Sequence, residues 1–192
     1  MLVKTIFAGA GGQGVLSMAY CLAYAAMEED RHVTYMPAYG AEVRGGTANC
    51  TIVISNEEIA SPIASEPDHL VILNNPSLLR FQNMGRPGGT YLINTTLVNH
   101  KLKRKDVDAY EIPAGKIADD NGGVRNTNMV LLGAYLAVTK IVSLRTMNEC
   151  IAAIFATKNK KVIDINQQAL KAGYDYITNN YGAAKKKVAS SK

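Results

Sequence analysis

Gly9, Gly11 and Gly14 stand in the spacing G-x-G-x-x-G within Gly9-Ala10-Gly11-Gly12-Gln13-Gly14. Residues without a Cβ let a chain turn sharply from a strand into a helix and let phosphate oxygens approach the backbone closely. The first N–H groups of the following helix have no partner inside it, and its dipole places partial positive charge there, so the loop is a candidate phosphate cradle. Gly12 extends the run, and Gln13 adds a neutral donor and acceptor at its rim. The competing reading is a tight strand–helix junction that binds nothing.

Residues beyond the loop narrow the ligand. Dinucleotide-binding domains that take NAD carry an acidic residue about 20 residues beyond the motif, near the end of the second strand, to hold the ribose hydroxyls. Here that region reads Thr34-Tyr35-Met36-Pro37, and Glu28, Glu29 and Asp30 come too early, which argues against NAD. The P-loop pattern G-x-x-x-x-G-K-[ST] is absent as well. A second loop, Pro37-Ala38-Tyr39-Gly40-Ala41-Glu42-Val43-Arg44-Gly45-Gly46, follows the second expected strand. In a parallel sheet it lies at the same carboxyl edge as the glycine loop, where such folds bind ligands. Arg44 has the fork geometry to clamp a phosphate or carboxylate, and Tyr39 can stack on a base or donate a hydrogen bond. A contact with a partner subunit and a plain Glu42–Arg44 surface pair are the open alternatives.

Other reactive residue types are scattered. His32, His69 and His100 sit beside no recognisable nucleophile motif and read as structural. Cys21, Cys50 and Cys150 are odd in number and form no C-x-x-C pair, so neither a disulfide framework nor a self-sufficient metal or iron–sulfur site is expected. Asn126, Thr127 and Asn128 cluster at the start of an apolar segment, either as a helix cap or as a ligand or partner contact.

These residues need elements to hold them. Leu2 to Ala8, His32 to Met36, Thr47 to Ile54, His69 to Leu73, Thr90 to Ile93 and Asp108 to Ile112 are short runs with β-type composition, bounded by turn signals such as Arg86-Pro87-Gly88-Gly89. Helices are expected at Val15 to Met27, Pro76 to Phe81 and Pro113 to Asp120. Three more are expected in the carboxyl third: Asn128 to Val142, apolar all round; Leu144 to Ala156, capped by Ser143; and one opened by Asp164 and Gln167 that ends near Tyr181. Alternation of strands and helices in the first two thirds implies an α/β, Rossmann-like, mainly parallel sheet with helices on both faces, and the carboxyl third is helical.

Composition sets the outer limits. A chain of 192 residues, 47% hydrophobic and 19% charged, fits one domain over residues 1–182, with 183–192 a basic tail expected to lack order. The net charge of +5 is concentrated in Lys101 to Lys105 and in Lys185, Lys186, Lys187 and Lys192, a pattern read as solubilising rather than as nucleic-acid binding. Met1 to Ala8 has no signal-peptide pattern and no apolar run approaches a membrane span, so no membrane association and a cytoplasmic location are expected.

Taken together, Ala8 to Val15, Tyr39-Gly40-Ala41-Glu42-Val43-Arg44-Gly45-Gly46-Thr47-Ala48-Asn49-Cys50 and Ile59-Ala60-Ser61-Pro62 resemble the gamma subunit of the 2-oxoacid:ferredoxin oxidoreductases. The likeness runs from about Val3 to Tyr181, and Arg44 to Cys50 look most like the 2-oxoglutarate branch; the small subunit of indolepyruvate:ferredoxin oxidoreductase is similar around the glycine loop. Ala60, where related sequences often have Gly, affects a turn. The resemblance implies a complex that converts a 2-oxoacid to acyl-CoA and reduces ferredoxin. Its thiamine diphosphate and iron–sulfur clusters are then expected on alpha and beta partner subunits, with or without a ferredoxin-like delta subunit. This chain's implied share is a wall of the coenzyme A site built from Gly9, Gly11, Gly12, Gln13, Gly14, Tyr39, Arg44 and Asn126, with no catalytic residue of its own. Two other readings stay open: a free-standing nucleotide-binding module, and a structural subunit with an empty glycine loop.

Overall fold

The computed structural model describes residues 1–40 and 46–189, with side chains as far as Gly182. Six strands form one sheet: β1 (Leu2–Ala10), β2 (His32–Tyr39), β3 (Thr47–Ser55), β4 (His69–Ile72), β5 (Thr90–Asn94) and β6 (Asp108–Ile112), in the order β2-β3-β1-β4-β5-β6. β1, β4, β5 and β6 pair in parallel, whereas β3 is antiparallel to both β1 and β2. The connection between β2 and β3 spans only residues 40–46, too short for the crossover of roughly a dozen residues that a parallel pair needs, so β3 returns as a hairpin.

The helices are α1 (Val15–Met27), α2 (Asn75–Phe81), α3 (Ala114–Asp120), α4 (Thr127–Thr139), α5 (Leu144–Ile154) and α6 (Lys160–Ala189). They cover the two faces unequally. The larger core joins Phe7, Ile52, Val71 and Leu92 of the sheet to α1, α3, α4, α5 and α6, while the other face packs Ile6, Leu70, Ile72 and Tyr91 against α2 and irregular chain around Ala64 and Val98.

Several boundaries differ from expectation, two of them for reasons visible in the structure. β2 runs on through Pro37 to Tyr39, because at the sheet's edge a residue without an N–H leaves no interior ladder bond unmade. α6 opens at Lys160 instead of beside Asp164: the Asn159 Oδ1 accepts from Lys161 N at 3.0 Å, forming a cap one turn earlier. The same helix continues past Tyr181 to Ala189. Ser143 does cap α5 as expected, accepting from Thr146 N at 3.0 Å.

Candidate functional site

Each glycine of the first loop is held for a different reason. At Gly9, in β1, a Cβ would stand 2.7 Å from the Gln13 Oε1 and 2.8 Å from the Val15 Cγ2, so close packing demands its absence. Gly14 is the N-cap of α1 with φ +72, and a Cβ there would also meet the Asn128 Nδ2 at 2.5 Å. Gly12 has φ +90 with open space around it. The Gly11 N–H donates to the Gly46 carbonyl at 2.9 Å, tying the loop to the start of β3.

Gln13 does more than decorate the rim. Its Oε1 accepts from Ala10 N at 2.7 Å and from the Asn74 Nδ2 at 3.1 Å, so the acceptor expected to face a ligand is engaged inside the protein. Asn74 in turn caps α2 by accepting from Ser77 N at 3.0 Å. One amide pair therefore fastens the loop after β1 to the loop after β4, across the point where the chain changes direction along the sheet. That crevice, at the carboxyl ends of the strands, is where open α/β sheets bind ligands. Further along the same edge, the fully buried Asn94 donates to the Leu73 carbonyl at 3.3 Å and accepts from Thr96 N at 3.3 Å.

Two clefts flank the loop, and Gly12 lines both. The first, about 350 Å³, runs over the start of α1 between Gly12, Gly14, Leu16, Ser17 and Tyr39. α1 has no side-chain cap and no acidic residue in its first turn, and its first internal bond is Met18 N to the Gly14 carbonyl at 3.1 Å. Its leading N–H groups are thus unpaired by the helix and favour an anion. An aromatic groove of about 270 Å³ continues from this cleft past Tyr39 to Tyr20, Tyr35 and Phe155. The second cleft, about 240 Å³, lies between Gly12, Gln13, Leu73, Leu97 and the 3-10 turn Val124–Asn126 that leads into α4.

Of the expected site residues, Gly9, Gly11, Gly12, Gln13, Gly14 and Tyr39 gather at one edge. Tyr39 is opposite Ala48, which is opposite Gly9, and its side chain is 71% exposed. Arg44 and Glu42 lie outside the described residues. Asn126 occupies the N-cap position of α4 without a capping side-chain bond, and its neighbours Arg125 and Thr127 line the second cleft instead. Asn128 is the residue of that cluster that reaches the loop, donating to the Gly14 carbonyl at 3.2 Å. Asn74, Asn94, Leu97 and Arg125 escape the sequence reading; a signal existed in the first two, since each ends a buried apolar strand at the ligand-binding edge. None of the three cysteines is poised for chemistry: burial pushes the Cys21 and Cys50 thiols up to about 12 and Cys150 up to about 11. Among the described residues no three His, Cys, Asp or Glu side chains group as metal ligands, and no helix is long and apolar enough to cross a membrane.

A mainly parallel α/β sheet with a glycine loop at its switch point and an uncapped helix behind it defines an α/β domain of Rossmann-like type. The chain belongs to the pyruvate ferredoxin/flavodoxin oxidoreductase family, whose model matches residues 4–176. This is the family to which the glycine loop and the Tyr39 to Cys50 segment pointed. It is 42% identical over 180 residues to the ketoisovalerate oxidoreductase subunit VorA of Methanothermobacter marburgensis, covering 93% of this chain but 37% of VorA. The chain thus spans little more than a third of the length of that relative. It is 32% identical over 170 residues to the 2-oxoglutarate synthase subunit KorC of Methanocaldococcus jannaschii, covering 87% of this chain and 89% of KorC. The fold matches that of a 2-oxoglutarate:ferredoxin oxidoreductase from Magnetococcus marinus, solved with 2-oxoglutarate, coenzyme A and succinyl-CoA bound. The TM-score is 0.85 at 23% identity, over 93% of this chain and 31% of that one.

Proposed function

We propose that this chain is the gamma-type component of a cytoplasmic 2-oxoacid:ferredoxin oxidoreductase, and that its glycine-loop edge forms one wall of a coenzyme A site completed by a partner subunit. The family match over residues 4–176 carries this reading. Alpha and beta subunits, with or without a ferredoxin-like delta subunit, complete the complex. Thiamine diphosphate and iron–sulfur clusters bound to those partners supply decarboxylation and electron transfer. This chain's part is to bind and orient the acyl acceptor. The α1 N-terminus, Gly12 and Gly14 take the coenzyme's phosphates, Gln13 holds the loop in shape, and Tyr39 offers a face for the base. Arg44, which follows Tyr39 in sequence, supplies countercharge, and Asn126 takes part through the start of α4, where its neighbours Arg125 and Thr127 line the second cleft.

The 2-oxoacid we favour is a branched-chain one, by the 42% identity to the ketoisovalerate subunit. A second reading, 2-oxoglutarate, rests on the Arg44 to Cys50 segment and on the 32% identity to KorC. The test is reconstitution. The purified chain alone is expected to show no 2-oxoacid oxidation with ferredoxin or viologen dyes, and the complex co-purified from the native source to show coenzyme A-dependent turnover, fastest with 2-oxoisovalerate. Turnover by the isolated chain, or a complex indifferent to coenzyme A, overturns the reading.

A further inference from the structure

Between Asp68 and Asp106 the sequence holds no acidic residue, yet it holds Arg80, Arg86, Lys101, Lys103, Arg104 and Lys105. The other 15 Lys and Arg of the chain are outnumbered by its 16 Asp and Glu, so the whole net charge of +5 originates in this stretch. The structure gathers it on the second face of the sheet, where α2 and the coil of residues 95–107 cover the core of Leu70, Ile72 and Tyr91. That coil is fastened along its length. The Oδ1 of Asn75, which opens α2, accepts from Asn99 N at 3.0 Å and from His100 N at 3.1 Å, and the Oε1 of the buried Gln82, at the other end of α2, accepts from Lys103 N at 3.1 Å. Leu102, Arg104 and Val107 turn inward, and Arg104 pairs with Asp106 at 2.6 Å and donates to the Gly85 carbonyl at 2.9 Å. The alternation leaves Lys101, Lys103 and Lys105 outermost. These three and Arg80 are exposed and form no ion pair with another described residue, whereas Arg86 is paired with Asp68.

Four unpaired cations on a fastened scaffold make a positive field that reaches about one Debye length, roughly 8–10 Å at physiological salt, and its complement is an acidic partner. Two kinds of acidic partner fit poorly. Phe81 and Tyr91 are buried, so the stretch offers no exposed ring on which the bases of a nucleic acid could stack. α2 is seven residues long and turns Leu78 and Phe81 into the core, so it has no continuous apolar face to lay into a bilayer. A permanent subunit interface is disfavoured by the lysines themselves, which are depleted at the dry centres of such interfaces, whereas exposed complementary charge acts chiefly on the rate of encounter. Resting on the oxidoreductase reading above, we propose that this face gathers the enzyme's acidic electron-carrier protein, of ferredoxin type, and steers it towards the complex. The electron comes from the partner subunits, and this chain supplies the field.

In the reconstituted complex, the combined substitutions Lys101→Gln, Lys103→Gln and Lys105→Gln are expected to lower kcat/KM for an acidic ferredoxin from the native source by about tenfold at low salt. Added salt lowers the wild-type value steeply and that of the variant less. The kcat at saturating ferredoxin, the KM for coenzyme A and turnover with viologen dyes stay as in wild type, since none of them depends on the encounter. An unchanged kcat/KM for ferredoxin in the variant overturns the inference while leaving the oxidoreductase reading intact; a wild-type complex that does not reduce ferredoxin removes both. Variant subunits that separate on size-exclusion chromatography, or viologen turnover that falls along with the ferredoxin rate, make the face an internal interface and overturn the inference too. A second measurement does not need turnover. Carbodiimide coupling of ferredoxin carboxylates to lysines of the complex, mapped by mass spectrometry, is expected at Lys101, Lys103 or Lys105. Cross-links confined to other lysines overturn the steering role. So does binding to phosphatidylserine vesicles or to RNA by the wild-type complex and not by the variant, which assigns the face to one of those partners instead.

Discussion

Glycine in the first loop is three different residues energetically. Gly9 is required by side chains packed against it, Gly12 by its backbone conformation in open space, and Gly14 by both conformation and contact. Left-handed backbone costs an L-residue roughly 1–2 kcal/mol, and at Gly14 a methyl group would also displace the Asn128 amide that bonds to the Gly14 carbonyl. Gly14→Ala is therefore expected to lower stability by about 2 kcal/mol or more, read as a fall of several degrees in Tm. A melting curve superimposable on wild type would contradict this account. The spacing of the glycines and the position of the loop between strand and helix were legible in the sequence. Which glycine serves packing and which serves backbone conformation was not, because Leu73 against Gly9 and Asn128 against Gly14 are far away along the chain and meet the loop only in the fold.

Elements show the same division between periodicity and contact. α4 is buried on nearly all sides, as its run of apolar residues implied, and α6 crosses it closely. The crossing depends on a reciprocal pair of glycines: a Cβ on Gly133 would lie 1.8 Å from the Leu170 carbonyl oxygen, and one on Gly173 would lie 1.9 Å from that of Val130. Helix propensity alone makes Gly→Ala favourable by about 1 kcal/mol. The backbone clash must win, since it forces the two helices apart along a seam that includes Leu170 and Val130, both fully buried. Gly133→Ala is expected to destabilise the chain by about 3 kcal/mol or more, lowering the midpoint of chemical denaturation. A raised midpoint would mean that propensity dominates and that the helices are not locked at this spacing. The sequence displayed α4 and α6 as helices but not their seam, just as it displayed β2 but ended it at Pro37, because an edge position is a property of the sheet.

Across the whole molecule the two ends of the sheet divide the labour. The carboxyl end carries the glycine loop, its amide fasteners and the clefts. The amino end is closed by a polar plug in which the Tyr135 hydroxyl, on α4, bonds both the Thr5 Oγ1 at 2.8 Å and the His69 Nδ1 at 3.1 Å, joining β1 and β4. Burial is the main cause that holds the His69 imidazole down to about 4; nearby Arg86 acts in the same direction and Asp68 opposes it. The folded protein thus keeps His69 neutral at pH values where the unfolded chain, with an ordinary value of 6.5, is already protonated. Acidification from about 6.5 towards 4 hands protons to the unfolded state, so stability is lost across that window and the contribution of His69 levels off below it. One pKa unit corresponds to about 1.4 kcal/mol, and because the ring is only half-buried the expected loss is about 1–3 kcal/mol. His69→Gln removes the titration, so its unfolding free energy should fall less steeply than that of wild type between pH 7 and pH 4.5. Parallel pH profiles for the two proteins would show that the plug does not couple protonation to folding.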